Sequence, residues 1–179
     1  GGAWELRRGR GRLVHAVRTM WGRGLTTARD TGAQEVVKVS NPEHVDAGSL
    51  SIPRPIEFPT EGGFTAHGFY YPPKNQGYEA PPDQKPPLMV RCHGGPTGSA
   101  GPTYTFEYHY WTSRGFAVVD VNYGGSNGYG RAYRMRLNGN WGVVDVNDCI
   151  HAARYLVEQG PGHGQRGWIP GGPAGGSTL

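Results

Sequence analysis

The segment from Leu88 to Gly160 decides which fold is open to this chain. Leu88-Met89-Val90-Arg91-Cys92 is an apolar run of strand length that leads straight into His93-Gly94-Gly95-Pro96. Tyr108 to Arg114 reads as a helix end, closed by Gly115. Phe116 to Val121 is the clearest buried strand, and it runs out into the glycine loop Tyr123 to Gly130. Asp145 to Gly160 carries Cys149, Ile150, Ala153, Leu156 and Val157 at helical spacing. Asp145 and Asp148 favour its N-terminal end, and Gly160 is its stop. Strand, loop, helix, strand, loop, helix is the α/β order, which implies a parallel sheet.

Upstream the pattern is β. Leu25 to Ser40 predicts a strand pair around Asp30-Thr31-Gly32, with Val36, Val37 and Val39 in the second strand. Asn41 to Pro55 is a linker of turn formers. Ile56 to Phe58 and Phe64 to Tyr71 predict a second pair around Glu61-Gly62-Gly63. Pro72 to Pro87 holds three Pro-Pro pairs and is a loop. Residues 1–24 show no clean period and read as a basic, disordered tail.

Composition narrows the function classes. With 179 residues the chain can form one ordinary domain with a real core. Glycine and proline number 31 and 15, and the apolar share is 36%, which argues against a coiled coil or a tightly packed hyperstable domain. No run approaches the ~18 apolar residues of a membrane span. The net charge of +4 comes from one end, since residues 1–29 hold seven arginines against Glu5 alone. A basic arm can bind nucleic acid or an anionic membrane. A solvated tail is the plainer reading, and the remainder has no basic face, so no nucleic-acid partner is expected. The two cysteines, Cys92 and Cys149, match no zinc spacing and read as buried thiols of a reducing cytoplasm. The N-terminus has charge but no apolar core of a secretory signal. The seven histidines fall at no metal-ligand spacing, so neither a metal nor a cofactor is expected.

Two segments have the shape of a nucleophile elbow, where a serine sits on a sharp turn flanked by small residues. Gly124-Gly125-Ser126-Asn127-Gly128 follows a strand, but Tyr129-Gly130 comes next, where an elbow should enter a helix. Gly171-Gly172-Pro173-Ala174-Gly175 has the flanking glycines, but its central residue has no nucleophile. His93-Gly94-Gly95-Pro96 sits at a strand end, where glycines let backbone N–H groups approach an oxyanion.

From about Leu50 onward the chain resembles serine peptidases of the prolyl oligopeptidase group, the acylaminoacyl-peptidase and dipeptidyl-peptidase-like members above all. The matching runs are Pro55 to Gly63, His93 to Gly98, Tyr110 to Val118, Asp120 to Tyr133 and Trp141 to Cys149, in family order and at family spacing. The resemblance implies an α/β fold, the N-terminal portion of an α/β-hydrolase sheet. A remnant of a β-propeller strand pair precedes it, and the domain is incomplete. It divides the chain into a basic tail at 1–24, the last propeller strands at 25–40, a linker at 41–55 and the first part of the hydrolase domain at 56–179. It places Ser126 in a loop that does not carry the nucleophile. The nucleophile position becomes Pro173, and Gly95 and Ala174 become the oxyanion-hole donors.

The departures bear on activity. Around the elbow the family usually reads Asp-Pro-Glu-Arg, then a strand, then Arg-Gly-Gly-Ser-Ala-Gly-Gly-Tyr. Here His163-Gly164-Gln165-Arg166 and Pro170-Gly171-Gly172-Pro173-Ala174-Gly175-Gly176-Ser177 stand instead. Most of these changes need one altered base, which suggests a decayed or misread gene end. In α/β-hydrolases the triad's acid and histidine follow the serine, and six residues follow Pro173. The expectation is therefore a fragment of a serine peptidase for short peptides, inactive as written, with the C-terminal half of the hydrolase domain missing. Two other readings stand beside it: a small esterase using Ser126, and a non-catalytic binding module with a basic N-terminal arm.

Overall fold

The structure is a computed structural model that describes residues 3–9, 12–17, 23–28, 30–39, 46–163 and 167–168. Two compact units emerge, Gly1–Val45 with Pro102–Phe106, and Asp46–Gly101 with Glu107–Leu179.

The first unit is an antiparallel meander. Strands β1 (Ala3–Gly9), β2 (Arg12–Val17), β3 (Arg23–Ala28) and β4 (Gln34–Val39) lie side by side in that order. The expected strand pair is β3 and β4. Its turn closes where Asp30-Thr31-Gly32 predicts it, with Gly32 at φ 68° and Thr31 N–H donating to Asp30 Oδ1 at 2.9 Å. Residues 1–24, expected as a disordered tail, carry β1, β2 and the start of β3 instead. The pairing is made by backbone groups, and an arginine-rich strand gives no apolar alternation to reveal it.

The second unit is a mixed sheet with helices. Strands β5 (Arg54–Pro59), β6 (Thr65–Tyr71), β7 (Leu88–Cys92), β8 (Ala117–Asn122) and β9 (Gly167–Trp168) take the order β5-β6-β8-β7-β9. β7 is parallel to both β8 and β9, while β6 is antiparallel to β5 and β8. The parallel sheet expected from the α/β order is thus flanked by an antiparallel hairpin. Helices α1 (Phe106–Thr112), α2 (Arg131–Met135) and α3 (Val144–Glu158) complete the unit. No described helix is long and apolar enough to cross a membrane.

β8 is buried along its whole length, as its mostly apolar run predicts, and it takes Asp120 and Asn122 inward with it. Ala117, Val119 and Val121 join Phe58, Leu88, Val90, Cys149, Ala152 and Leu156 in the larger core. Val118 points the other way and meets Tyr71, Met89 and Tyr108. Burying each large side chain contributes roughly 1.5–3 kcal/mol. On α3 the buried stripe is Asp145, Asp148, Cys149, Ala152 and Leu156. The expected stripe contained Cys149 and Leu156 but had Ile150, Ala153 and Val157 where the structure buries Asp145, Asp148 and Ala152. An apolarity pattern cannot place a carboxylate inward, because its burial depends on partners from other segments.

Candidate active site

The chain leaves β7 at Cys92 and passes through α1 to β8 on one flank. It then crosses through α3 to β9 on the other flank of β7. In α/β sheets such a reversal opens a crevice at the carboxyl ends of the strands, where ligands bind. The loop from His93 to Gly101 follows β7 at that edge, and the loop from Tyr123 to Gly130 follows β8. β9 leads to the same edge. Pro173 and Ala174, the expected nucleophile position and second oxyanion donor, lie outside the described residues.

The loop after β7 is bare backbone. Gly95 has φ 84°, and nothing lies within 4 Å of where a Cβ would stand on Gly94 or Gly95. Gly98 is the opposite case, since a Cβ there would come 2.7 Å from Gly94 O and 3.0 Å from His93 Nδ1. The carbonyl of Gly95 accepts from Thr97 N–H at 2.7 Å, which closes a tight turn. The outer glycines thus leave room for a ligand, and Gly98 lets the loop fold back on its own start.

Four residues at the end of β8 and in the loop after it hold the loop after β7. Asn122 accepts from Ala100 N–H at 2.7 Å and donates to Ala100 O at 3.2 Å. The Tyr123 hydroxyl reaches Pro96 O at 3.0 Å and His93 O at 3.2 Å, and its ring stacks on His93 with centroids 4.5 Å apart. Asn127 N–H donates to Gly98 O at 2.9 Å, and its amide donates to Thr97 O. Ser126 Oγ lies 2.6 Å from His93 Nε2 and donates to Tyr123 O at 2.8 Å.

The structure therefore joins Ser126 to a histidine, a partnership that the sequence reading did not foresee. The hydroxyl is wholly enclosed, at 0% exposure. It sits in a turn, and α2 begins only at Arg131, after Gly130 at φ 90°. Burial pushes the His93 imidazole below its ordinary value, while the Gly94 carbonyl partly opposes this. His93 is thus neutral near pH 7, poised in the Ser126–Tyr123 network rather than facing a substrate as an imidazolium.

Asp148 is the second organiser that the sequence reading missed. It is 2% exposed, and it accepts from Gly124 N–H at 2.7 Å and from Thr60 Oγ1 at 2.5 Å. One carboxylate on α3 thereby ties the glycine loop after β8 to the turn between β5 and β6. Burial raises its proton affinity, against the hydrogen bonds from Thr60 and Gly124. The two glycines beside it are needed for space. A Cβ on Gly124 would stand 2.9 Å from Val144 Cγ1, and one on Gly125 2.7 Å from Leu137 Cβ. The repeated Gly-Gly before Ser126 was the available signal, although it said close approach without saying to what.

Residues 102–179 match the prolyl oligopeptidase family. They belong to that family. The chain is 40% identical to a puromycin-hydrolysing peptidase of Mycobacterium tuberculosis, with a TM-score of 0.86 over 93% of this chain and 26% of that one. It is 31% identical over 122 residues to an uncharacterized peptidase, YuxL, of Bacillus subtilis, covering 68% of this chain and 18% of the relative. It is 34% identical over 90 residues to the acylamino-acid-releasing enzyme of Arabidopsis thaliana, covering 50% of this chain and 12% of the relative. The chain thus spans about a quarter or less of the length of these prolyl oligopeptidase-family relatives. The partial α/β-hydrolase sheet agrees with that membership.

Proposed function

We propose that the second unit is the first part of a serine peptidase's catalytic domain, and that its loop from His93 to Gly98 serves the oxyanion. The observation that carries this is the placement of a bare Gly94-Gly95 turn at the sheet's switch point, clamped from behind by Asn122, Tyr123, Ser126 and Asn127. Preorganised N–H donors at such an edge stabilise the tetrahedral oxyanion of acyl transfer, each worth about 2.7–4 kcal/mol. Gly95 N–H would be one donor and Ala174 N–H the other. The substrate class is a short peptide, in keeping with relatives named for puromycin hydrolysis and for acylamino-acid release.

By the family resemblance, position 173 is where the nucleophile would stand, and here it is proline. An acyl-enzyme needs a nucleophilic oxygen at the elbow, and proline offers none. This chain by itself is therefore proposed to be inactive. Ser126 does not replace the missing nucleophile, because its oxygen is enclosed and already engaged on two sides. The first unit is proposed to be the closing part of a β-propeller, whose blades are four-stranded meanders. A reducing cytoplasm is the proposed location, on the two free thiols.

A chimera tests the reading. Residues 50–163 would replace the matching segment of the puromycin-hydrolysing relative, which supplies its own elbow and downstream residues. Retained hydrolysis of an aminoacyl arylamide supports a competent oxyanion side. A folded chimera that binds substrate yet turns over no faster than buffer would overturn it. The native chain should show no labelling by a fluorophosphonate, and labelling would return Ser126 to consideration.

A further inference from the structure

The loop from His93 to Gly101 is fixed differently at its two ends. Its near end leaves the sheet ladder, where Cys92 pairs with Val121 in parallel register. Its far end lies outside the ladder, yet Ala100 is held there as a strand neighbour would hold it. Asn122 Oδ1 accepts from Ala100 N–H at 2.7 Å, and Asn122 Nδ2 donates to Ala100 O at 3.2 Å. Nδ2 also donates to the Tyr129 hydroxyl at 3.0 Å. Asn122 is the last residue of β8, paired with His67 of β6, and 0% exposed. Its carbonyl accepts from the Tyr133 hydroxyl at 2.6 Å. A buried amide is costly unless its hydrogen bonds are made, and this one spends its oxygen and both hydrogens. We propose that Asn122 is the positioning residue of the oxyanion loop, and that its grip on Ala100 fixes where the Gly95 N–H stands. The proposal rests on the oxyanion reading given above.

The loop needs such an anchor. Glycine stands at 94, 95, 98 and 101, so its backbone has wide freedom of its own. Between the ends, the carbonyls are taken in sequence. The Tyr123 hydroxyl holds those of His93 and Pro96, Asn127 holds those of Thr97 and Gly98, and Thr97 N–H holds that of Gly95. The Gly95 N–H has no partner among the described residues, so it is the donor left for a ligand. Asn127 is exposed, and its bonds compete with water, whereas the Asn122 amide is enclosed. Two bonds to one residue set the direction of the chain at Ala100 as well as its place. From there the Gly98, Thr97 and Gly95 contacts carry that setting back to the donor. An oxyanion donor acts only when it is already in place, and a misplacement of about 1 Å can cost about a hundredfold in rate.

The chimera described above supplies the kinetic test, with an aminoacyl arylamide as substrate. In Asn122→Ala, kcat should fall by about 10–100-fold while KM moves by less than about twofold. A peptide aldehyde, whose adduct carries the oxyanion, should lose affinity by a similar factor, and a product-like peptide amide should not. Asn122→Asp keeps an oxygen for the Ala100 N–H, so its loss should be smaller, and it decides the matter if the alanine variant does not fold. Tyr129→Phe removes the other partner of Nδ2 and leaves Ala100 gripped, so its kcat should stay near the parent's. Hydrogen exchange on the full chain gives a second reading. There Asn122→Ala should speed exchange of the Ala100 N–H by at least about tenfold relative to Val119 and Val121 in the β8 ladder. A folded Asn122 variant with the parent's kcat would overturn the proposal. So would a loss in Tyr129→Phe equal to that in Asn122→Ala, or exchange that rises equally at Ala100 and Val119. A parent chimera that folds and binds but does not turn over removes the oxyanion reading itself, and this proposal with it.

Discussion

Tyr71 shows how much one atom can matter. Its ring is enclosed at 1% exposure and meets Tyr108 edge-on at 5.1 Å between centroids. Its hydroxyl is buried without a hydrogen-bond partner among the described residues. Leaving such a group unsatisfied costs about 1–3 kcal/mol. Tyr71→Phe should therefore stabilise the chain by about 1 kcal/mol, seen as a higher urea midpoint at unchanged slope. A lower midpoint would show that the hydroxyl has a partner. Ser126 argues the converse. Its oxygen serves His93 and Tyr123 together, so Ser126→Ala should cost about 1–2 kcal/mol and leave fluorophosphonate labelling unchanged at none. Neither role was legible in the sequence. Gly-x-Ser-x-Gly states that a turn is tight, and it is silent on whether the serine faces solvent or a histidine from another loop.

At the scale of elements, the strands and α3 were readable because burial repeats along them. β7, β8 and the β5–β6 pair fall close to their apolar runs. The Asp-Thr-Gly turn also lies where its chemistry predicts. What escaped were the links between elements, such as Asp148 reaching both Thr60 and Gly124, because long-range partners leave no local period. The glycine loop after β8 tests the account. Gly125 combines φ 125° with a 2.7 Å clash at Leu137 Cβ, an atom that no rotamer change can move. Gly125→Ala should lower stability by at least about 2 kcal/mol, from strain and overpacking together. Gly128 also has positive φ, at 95°, but open space around it. Gly128→Ala should cost only about 1 kcal/mol. Equal losses for the two, measured by denaturant titration, would show that backbone strain alone decides this loop.

For the whole molecule, the α/β class was legible from element order and the hydrolase-like sheet from the family resemblance, and β3 and β4 of the meander from their turn, whereas β1 and β2 were not, since arginine-rich strands mask their period. Charge at molecular scale gives the last prediction. Burial lowers the pKa values of His67, His93 and His109 from the ordinary 6.5. As acid is added, the unfolded chain takes up these protons first, near pH 6.5, and the folded chain does so only lower. Over that window the unfolded state binds more protons, so stability falls with pH. The loss is complete below the folded-state values. Asp120 and Asp148 act with the opposite sign. Burial raises both above 3.8, so the folded chain gains their protons before the unfolded chain does, and acidification there favours folding. The urea midpoint should therefore drop between about pH 7.5 and 6, where histidines titrate, and the decline should slow or reverse at lower pH. Replacing His109, which accepts from Ser51 N–H at 3.3 Å through Nδ1, by glutamine should flatten the first part of the curve relative to its own starting stability. A midpoint that rises on the same acidification would mean that these imidazoles take up protons more readily in the folded chain than in the unfolded one, the opposite of the direction in which burial shifts them.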